Sequence, residues 1–272
     1  MLTQAYDYLE ECRQLRKILN NFSNKDWNRP TQFKDWTAND VIGHLHLFDV
    51  AADKTLNSAD ELQAFLADIN AETKQGKTLV DYTSEWMGCQ GEALLERWFS
   101  FAEKLADRYS KQTPSRRVEW GGPSMSVRSC ISARQMETWS HGQALFDLAG
   151  ANREESDRLY NIAIMGINTF GWTYISRKLD IPEIQPHVKI TAPSGAIWEW
   201  NEGHQGLVSG SAVEFCQVVT QTRNVLDTNL HMVGDVANQW MQNAQCFAGP
   251  AEPPPKPGSR FSLEPKLKET SD

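Results

Sequence analysis

Three residues of this chain have side chains suited to a metal ion, and all three fall on apolar helical stripes: His44, Glu137 and His141. Glu137 and His141 stand in the segment RQMETWSHGQALFDLAG, residues 134–150. Four residues apart on a helix, they lie one above the other, about 6 Å apart. His44 stands far upstream in DWTANDVIGHLHLFD, residues 35–49. Two imidazoles and a carboxylate turned toward a core cost free energy unless something satisfies them. A divalent ion held by three protein ligands, with a fourth position open for chemistry, would do so. The plainer alternative is a buried hydrogen bond between Glu137 and His141 with Arg134 as counter-ion, and the third residue tips the balance toward the metal. A centre of this kind either binds a thiol and delivers thiolate at neutral pH, or binds water and delivers hydroxide.

The elements that must position these residues can be read from caps and periodicity. Thr37 is a good N-cap and Asp40 supports it, so a helix is expected to start there with Val41, His44, Leu45, Phe48 and Ala52 on one face. His46 lies roughly 200° around from His44 and points elsewhere. A second helix is expected over 124–148, closed by Gly150 beyond its C-terminus. Its inner face carries Val127, Cys130, Arg134, Glu137, His141, Leu145 and Leu148, and Cys130 reads as a buried structural thiol. Further stripes predict helices over 3–20, 81–109 (with Trp86 inward) and 155–178, a weaker one over 58–75, and a loop over 113–124. That makes a mainly α chain whose first part, 1–180, is a helix bundle. Beyond Pro182 the pattern changes. Val188, Ile190 and Ala192 alternate as in a half-buried strand, 196–200 and 206–210 suggest two more, and 211–221 and 235–247 read as helices. Residues 181–249 are thus expected to form a small α/β domain, and the Pro-rich stretch 250–272 an unpacked tail.

Composition excludes several classes. Lys+Arg 27 against Asp+Glu 35 leaves a formal charge of −8, with no basic footprint for nucleic acid or an anionic membrane surface. Cys12, Cys89, Cys130, Cys216 and Cys246 are scattered with no C-x-x-C pair, which argues against a disulfide framework and fits a cytoplasmic protein. No signal core and no membrane span is evident.

The two ligand-bearing segments resemble those of the DinB superfamily, in the branch of mycothiol-dependent maleylpyruvate isomerase. Trp36, Thr37, Asp40, Val41, Ile42 and His44 fit its first motif; Glu137, His141 and Asp147 approximate its second, with the Asp later than in the isomerase. Met136 through Gln143 resembles an uncharacterised full-length subgroup more closely, as do Gly210–Cys216 and Gly234–Ala237. The resemblance implies an up-down bundle followed by a domain similar to sterol carrier protein 2. It implies that His44, Glu137 and His141 hold Zn²⁺, with Ni²⁺ or Fe²⁺ as alternatives. A low-molecular-weight thiol would be cosubstrate (mycothiol, bacillithiol or glutathione), and Arg223 of the second domain would serve the site. Read from its position alone, Arg223 could equally be a charge at a helix C-terminus. The expected function is a metal-dependent thiol transferase or thiol-assisted isomerase acting on a small electrophile, with Arg134 or Arg223 holding a substrate carboxylate. A hydrolase using the same ligands and a non-enzymatic binder of apolar ligands are the alternatives.

Overall fold

The computed structural model describes residues 2–261. Four long helices make the first unit: α1 (Gln4–Leu19), α3 (Ala38–Asn57), α6 (Gly91–Ser110) and α7 (Val127–Ala149), joined by α2 (Asn24–Trp27), α4 (Ala59–Lys74) and α5 (Leu79–Met87). Helices α1 and α3 each pack against both α6 and α7. The expected stripe of α1 is buried at Ala5, Tyr8, Leu9, Cys12, Leu15 and Leu19. Helix α3 opens on a capping box in which Thr37 and Asp40 exchange side-chain and backbone hydrogen bonds. Helix α7 closes on Gly150, whose φ of 61° is the left-handed conformation that glycine adopts at no steric cost.

A mixed four-stranded sheet makes the second unit. Strands β3 (His187–Thr191), β4 (Ile197–Trp200), β5 (Leu207–Ser211) and β6 (His231–Val233) lie in the order β4-β3-β5-β6, with β3 and β5 parallel and the outer pairs antiparallel. Helices α10 (Ala212–Val219) and α11 (Asp235–Asn243) complete it. The chain is therefore a helical N-terminal domain with a small α/β C-terminal region.

Several elements depart from expectation. The helix expected over 81–109 is broken at Gly88 (φ 62°) into α5 and α6, and Trp86 lies on the rim, 38% exposed. The helix expected over 155–178 is divided into a 3₁₀ turn at Asp157–Leu159, α8 (Tyr160–Asn168) and α9 (Phe170–Ile175). Thr169 bends it by donating its hydroxyl back to the Met165 carbonyl at 2.8 Å. The expected loop 113–124 contains a short strand, β1 (Arg117–Val118), which pairs antiparallel with β2 (Met125–Ser126), and the helix expected from 124 starts after β2, at Val127.

Helix α7 belongs to two cores. Val127, Cys130, Ile131, Leu145 and Phe146 pack among α1, α3 and α6, while Met136 and Trp139 pack with the sheet. The sheet's core also holds Ile162 and Ala163 of α8 and Phe170 and Tyr174 of α9. The division expected at residue 180 falls after these helices, although they share the sheet's core.

One buried carboxylate joins the four long helices. Asp49 of α3, wholly buried, accepts from Tyr8 Oη of α1 at 2.8 Å, Trp98 Nε1 of α6 at 3.0 Å and Arg134 Nε of α7 at 2.9 Å. Arg134 also donates to the Leu45 carbonyl at 3.1 Å. Burial alone disfavours the Arg134 charge, but the Asp49 and Glu137 carboxylates outweigh it and raise the guanidinium's pKa. Removing one partner of such a pair leaves a buried charge uncompensated, which costs about 3–5 kcal/mol. Asp49→Leu is expected to lower the urea-unfolding free energy by roughly that amount, and Asp49→Leu with Arg134→Leu to recover part of it. A single-variant loss below about 1 kcal/mol would contradict this role for Asp49.

Candidate metal centre

His44, one turn and a half into α3, meets Glu137 and His141 of α7. One donor atom of each lies within 4.8 Å of the others. His141 Nε2 is 3.0 Å from Glu137 Oε2, and His44 Nε2 is 3.6 Å from the same oxygen, too far for a hydrogen bond. Both ring nitrogens of His44 are buried without a hydrogen-bond partner. Burial, with the neighbouring His141, pushes the His44 imidazole down to about 4, so it is neutral at neutral pH. Burial works to raise the Glu137 carboxyl, but the imidazoles of His141 and His44 outweigh it and hold it well below the usual range. Two imidazoles beside an ionised carboxylate converge on one point, a donor set that suits Zn²⁺. One of the orphaned nitrogens of His44 is what such an ion would satisfy.

Aromatic rings hold the donors in place. Trp36 stacks on the His141 ring at 5.7 Å and 8°, and Phe33 meets the same ring edge-on at 5.0 Å. Trp36 and Phe48 flank His44 at 5.2 and 4.9 Å. The turn that delivers Trp36 places Lys34 and Asp35 at φ 51° and 57°, a conformation uncommon for residues other than glycine. Its hydrogen bonds, Trp36 N–H to the Phe33 carbonyl and Thr31 N–H to the Trp36 carbonyl, keep it closed.

The other expected site residues are distributed differently. Arg134 is turned away, its guanidinium engaged by Asp49 and Leu45 in the bundle core, so it neither pairs with the Glu137–His141 contact at close range nor lines the cavity. Its place one turn before Glu137 on the same stripe is what suggests otherwise. Arg223 follows α10 in the turn 220–224 and does line the cavity that the triad also lines. It donates to Asp147 Oδ1 at 2.7 Å, and Gln143 Nε2 donates to the same oxygen at 2.9 Å. His46 faces away from the triad, but toward protein: it is 5% exposed and its ring meets Phe101 edge-on at 5.1 Å. Cys130 is buried beside Tyr109 Oη at 3.1 Å, and burial pushes its thiol up to about 11, which fits a structural role.

The cavity is about 390 Å³, and His44, Glu137, His141 and Arg223 all line it. The described part of the tail, residues 250–261, packs against it and is not an unpacked extension; residues 262–272 lie outside the described residues. Gln245 Nε2 donates to the Pro250 carbonyl, and Arg177 and Gln221 both donate to that of Glu252. Asn224 donates to the Pro255 carbonyl, and Phe261 N–H to Gln32 Oε1. Arg260 lies over the Phe33 ring at 5.0 Å. Sequence reasoning missed Arg260; an Arg-Phe pair at the end of a Pro-rich stretch was the available signal.

Residues 8–146 match the family model described as the mycothiol maleylpyruvate isomerase N-terminal domain. Two curated relatives, the uncharacterised proteins MT0041 and Rv0036c of two Mycobacterium tuberculosis strains, are each 33% identical over 226 residues, covering 82% of this chain and 87% of theirs. Among solved structures, the mycothiol-dependent maleylpyruvate isomerase matches with a TM-score of 0.51 and a mutant of it with 0.50. Both are 15% identical and cover 79% of this chain and 86% of theirs, a likeness of fold.

Two outcomes are expected of the triad. The purified protein is expected to take up one equivalent of Zn²⁺, and His44→Ala or Glu137→Gln to lose it, measured by elemental analysis after dialysis; equal metal in wild type and variants would rule out the assignment. In metal-free protein, the His44 pKa falls from 6.5 in the unfolded chain to about 4 on folding. The unfolded state therefore binds the extra proton between those values, and stability drops as pH falls through that window. His44→Phe is expected to flatten the slope of Tm against pH there.

Proposed function

Because the chain belongs to the mycothiol maleylpyruvate isomerase N-terminal domain family, we propose that it is a metal- and thiol-dependent enzyme of the isomerase or transferase type, acting on a small electrophile. The observation that carries this reading is the convergence of His44, Glu137 and His141 at one wall of a cavity large enough for a small ligand. A divalent ion, when bound there, would supply the charge that lowers the pKa of a coordinated thiol into the neutral range.

The chain's own residues do the rest. His44 offers a lone pair at neutral pH because burial keeps its proton off. Glu137 contributes the negative charge that a divalent ion needs, and the stacked Trp36 fixes the orientation of the His141 ring. Trp36, Phe33 and Met136 give the cavity an apolar side that limits water around a thiol and its electrophile. Arg223 adds a guanidinium to the lining, held in orientation by Asp147. In this reading the electrophile sits between the triad and Arg223, and the thiol approaches from the triad side. Maleylpyruvate, after which the solved neighbour is named, is one electrophile to try.

Mycothiol, bacillithiol and glutathione assayed in turn with electrophilic acceptors, on zinc-loaded protein, test the proposal. Turnover is expected to require one of the thiols and to be lost in His44→Ala. Turnover that continues without any thiol would identify a hydrolase on the same ligands instead.

A further inference from the structure

Among the described residues, the ion pairs around the cavity engage each lining Lys or Arg but one. Lys34 Nζ meets Glu252 at 3.2 Å, Arg223 meets Asp147 at 2.7 Å, and Glu137 meets His141 at 3.0 Å. Arg260, which lines the same cavity, has no ion pair among the described residues. Its one hydrogen bond there is from Nη1 to the Gln221 carbonyl at 2.6 Å. That bond and the Phe33 ring beneath it fix the guanidinium plane and leave the remaining N–H groups for a ligand. The residue is half-buried, so a partner reaching it is partly withdrawn from water, where a charge-assisted hydrogen bond counts for more.

We infer that Arg260, carried by the C-terminal segment 250–261, is the specificity-determining residue that receives the carboxylate of a small organic acid in this cavity. Arg223 has its anion already in Asp147; Arg260 takes its anion from the ligand. One guanidinium without an ion-pair partner matches one carboxylate, and the planar fork matches its two oxygens. A dianionic phosphate would bring excess charge close to Asp147, Glu252 and Glu137. The apolar remainder of the ligand would lie along Phe33, Trp36, Met136 and Phe247, which line the same cavity. The segment is held by side chains of three other regions, Arg177, Gln221 with Asn224, and Gln245, so Arg260 is presented from a fixed wall. This inference deepens the proposed function and rests on its cavity being the ligand site, while needing neither metal nor thiol.

The test is calorimetric titration of full-length protein, stripped of metal with neutral 1,10-phenanthroline, using 4-phenylbutyrate and its uncharged amide as probes. Wild type is expected to bind the acid about tenfold more tightly than the amide, as one charge-assisted hydrogen-bonded contact provides. Arg260→Gln should make the two equal, and Arg260→Lys should keep part of the preference, both with unchanged thermal melting. The assignment is overturned if wild type binds neither probe saturably, if it does not prefer the acid, if Arg260→Gln keeps the preference, or if inorganic phosphate displaces the acid at equal concentration. Because metal and thiol are absent from the titration, a failure here leaves the metal and thiol results standing, and a failure there leaves this one standing.

Discussion

Everything at the candidate centre depends on a single wholly buried carboxylate. Asp49 draws hydrogen bonds from Tyr8, Trp98 and Arg134, one from each of the other three long helices. Hydrogen bonds have direction, so these contacts fix axial register in a way that apolar packing alone does not. The register matters because His44 lies on α3, close to Asp49, while Glu137 and His141 lie on α7, close to Arg134. The Arg134 bond to the Leu45 carbonyl ties the backbone next to His44 to the helix that carries the other two donors. A slip of α3 along α7 by one residue, about 1.5 Å, would break both bonds before it separated the donors.

The same stretch of the bundle holds two ionic arrangements of opposite character. At Asp49 both carboxylate oxygens have partners, and the interior is closed. Around Glu137 the balance is left open: His44 has both ring nitrogens unpartnered and the cavity beside it is accessible. A folded protein tolerates an orphaned buried imidazole at a cost of order 1–3 kcal/mol. The closed network next to it supplies the rigidity that holds the costly arrangement in place. The aromatic turn of Phe33 and Trp36 does the same from the other side.

Much of this is legible in the sequence, and the exceptions have physical reasons. The donors are legible because His44, Glu137 and His141 interrupt apolar stripes, and because Thr37 with Asp40 and Gly150 mark the ends of their helices. Asp49 is not, because α3 is buried on most of its circumference, at Ile42, Gly43, Leu47 and Ala51 as well as on the expected face. A single amphipathic stripe cannot describe such a helix. Arg134 lies on the expected helix face, but its partner is 85 residues away, a pairing that periodicity does not encode. The C-terminal segment departs from expectation for a different reason. Proline-rich composition speaks of few packed side chains, yet the segment is held through its backbone carbonyls, at Pro250, Glu252 and Pro255. Residues of its partners, not its own composition, carry that information.

Helix α7 is shared between the bundle core and the sheet core, and this divides the molecule into parts that tolerate change differently. Different residues of α7 serve the two interiors, so a shift of its backbone reaches both, and the donor pair sits on that helix. Part of the cavity's lining comes from the turn 220–224 and the C-terminal segment, which rest on these cores without forming them and do not touch the donor rings. Replacing side chains there alters the shape and charge offered to a ligand while the donor geometry stays as it is. Relatives with the same donor set can therefore diverge in what they accept by editing the periphery, and the scaffold is an evolvable one for that reason.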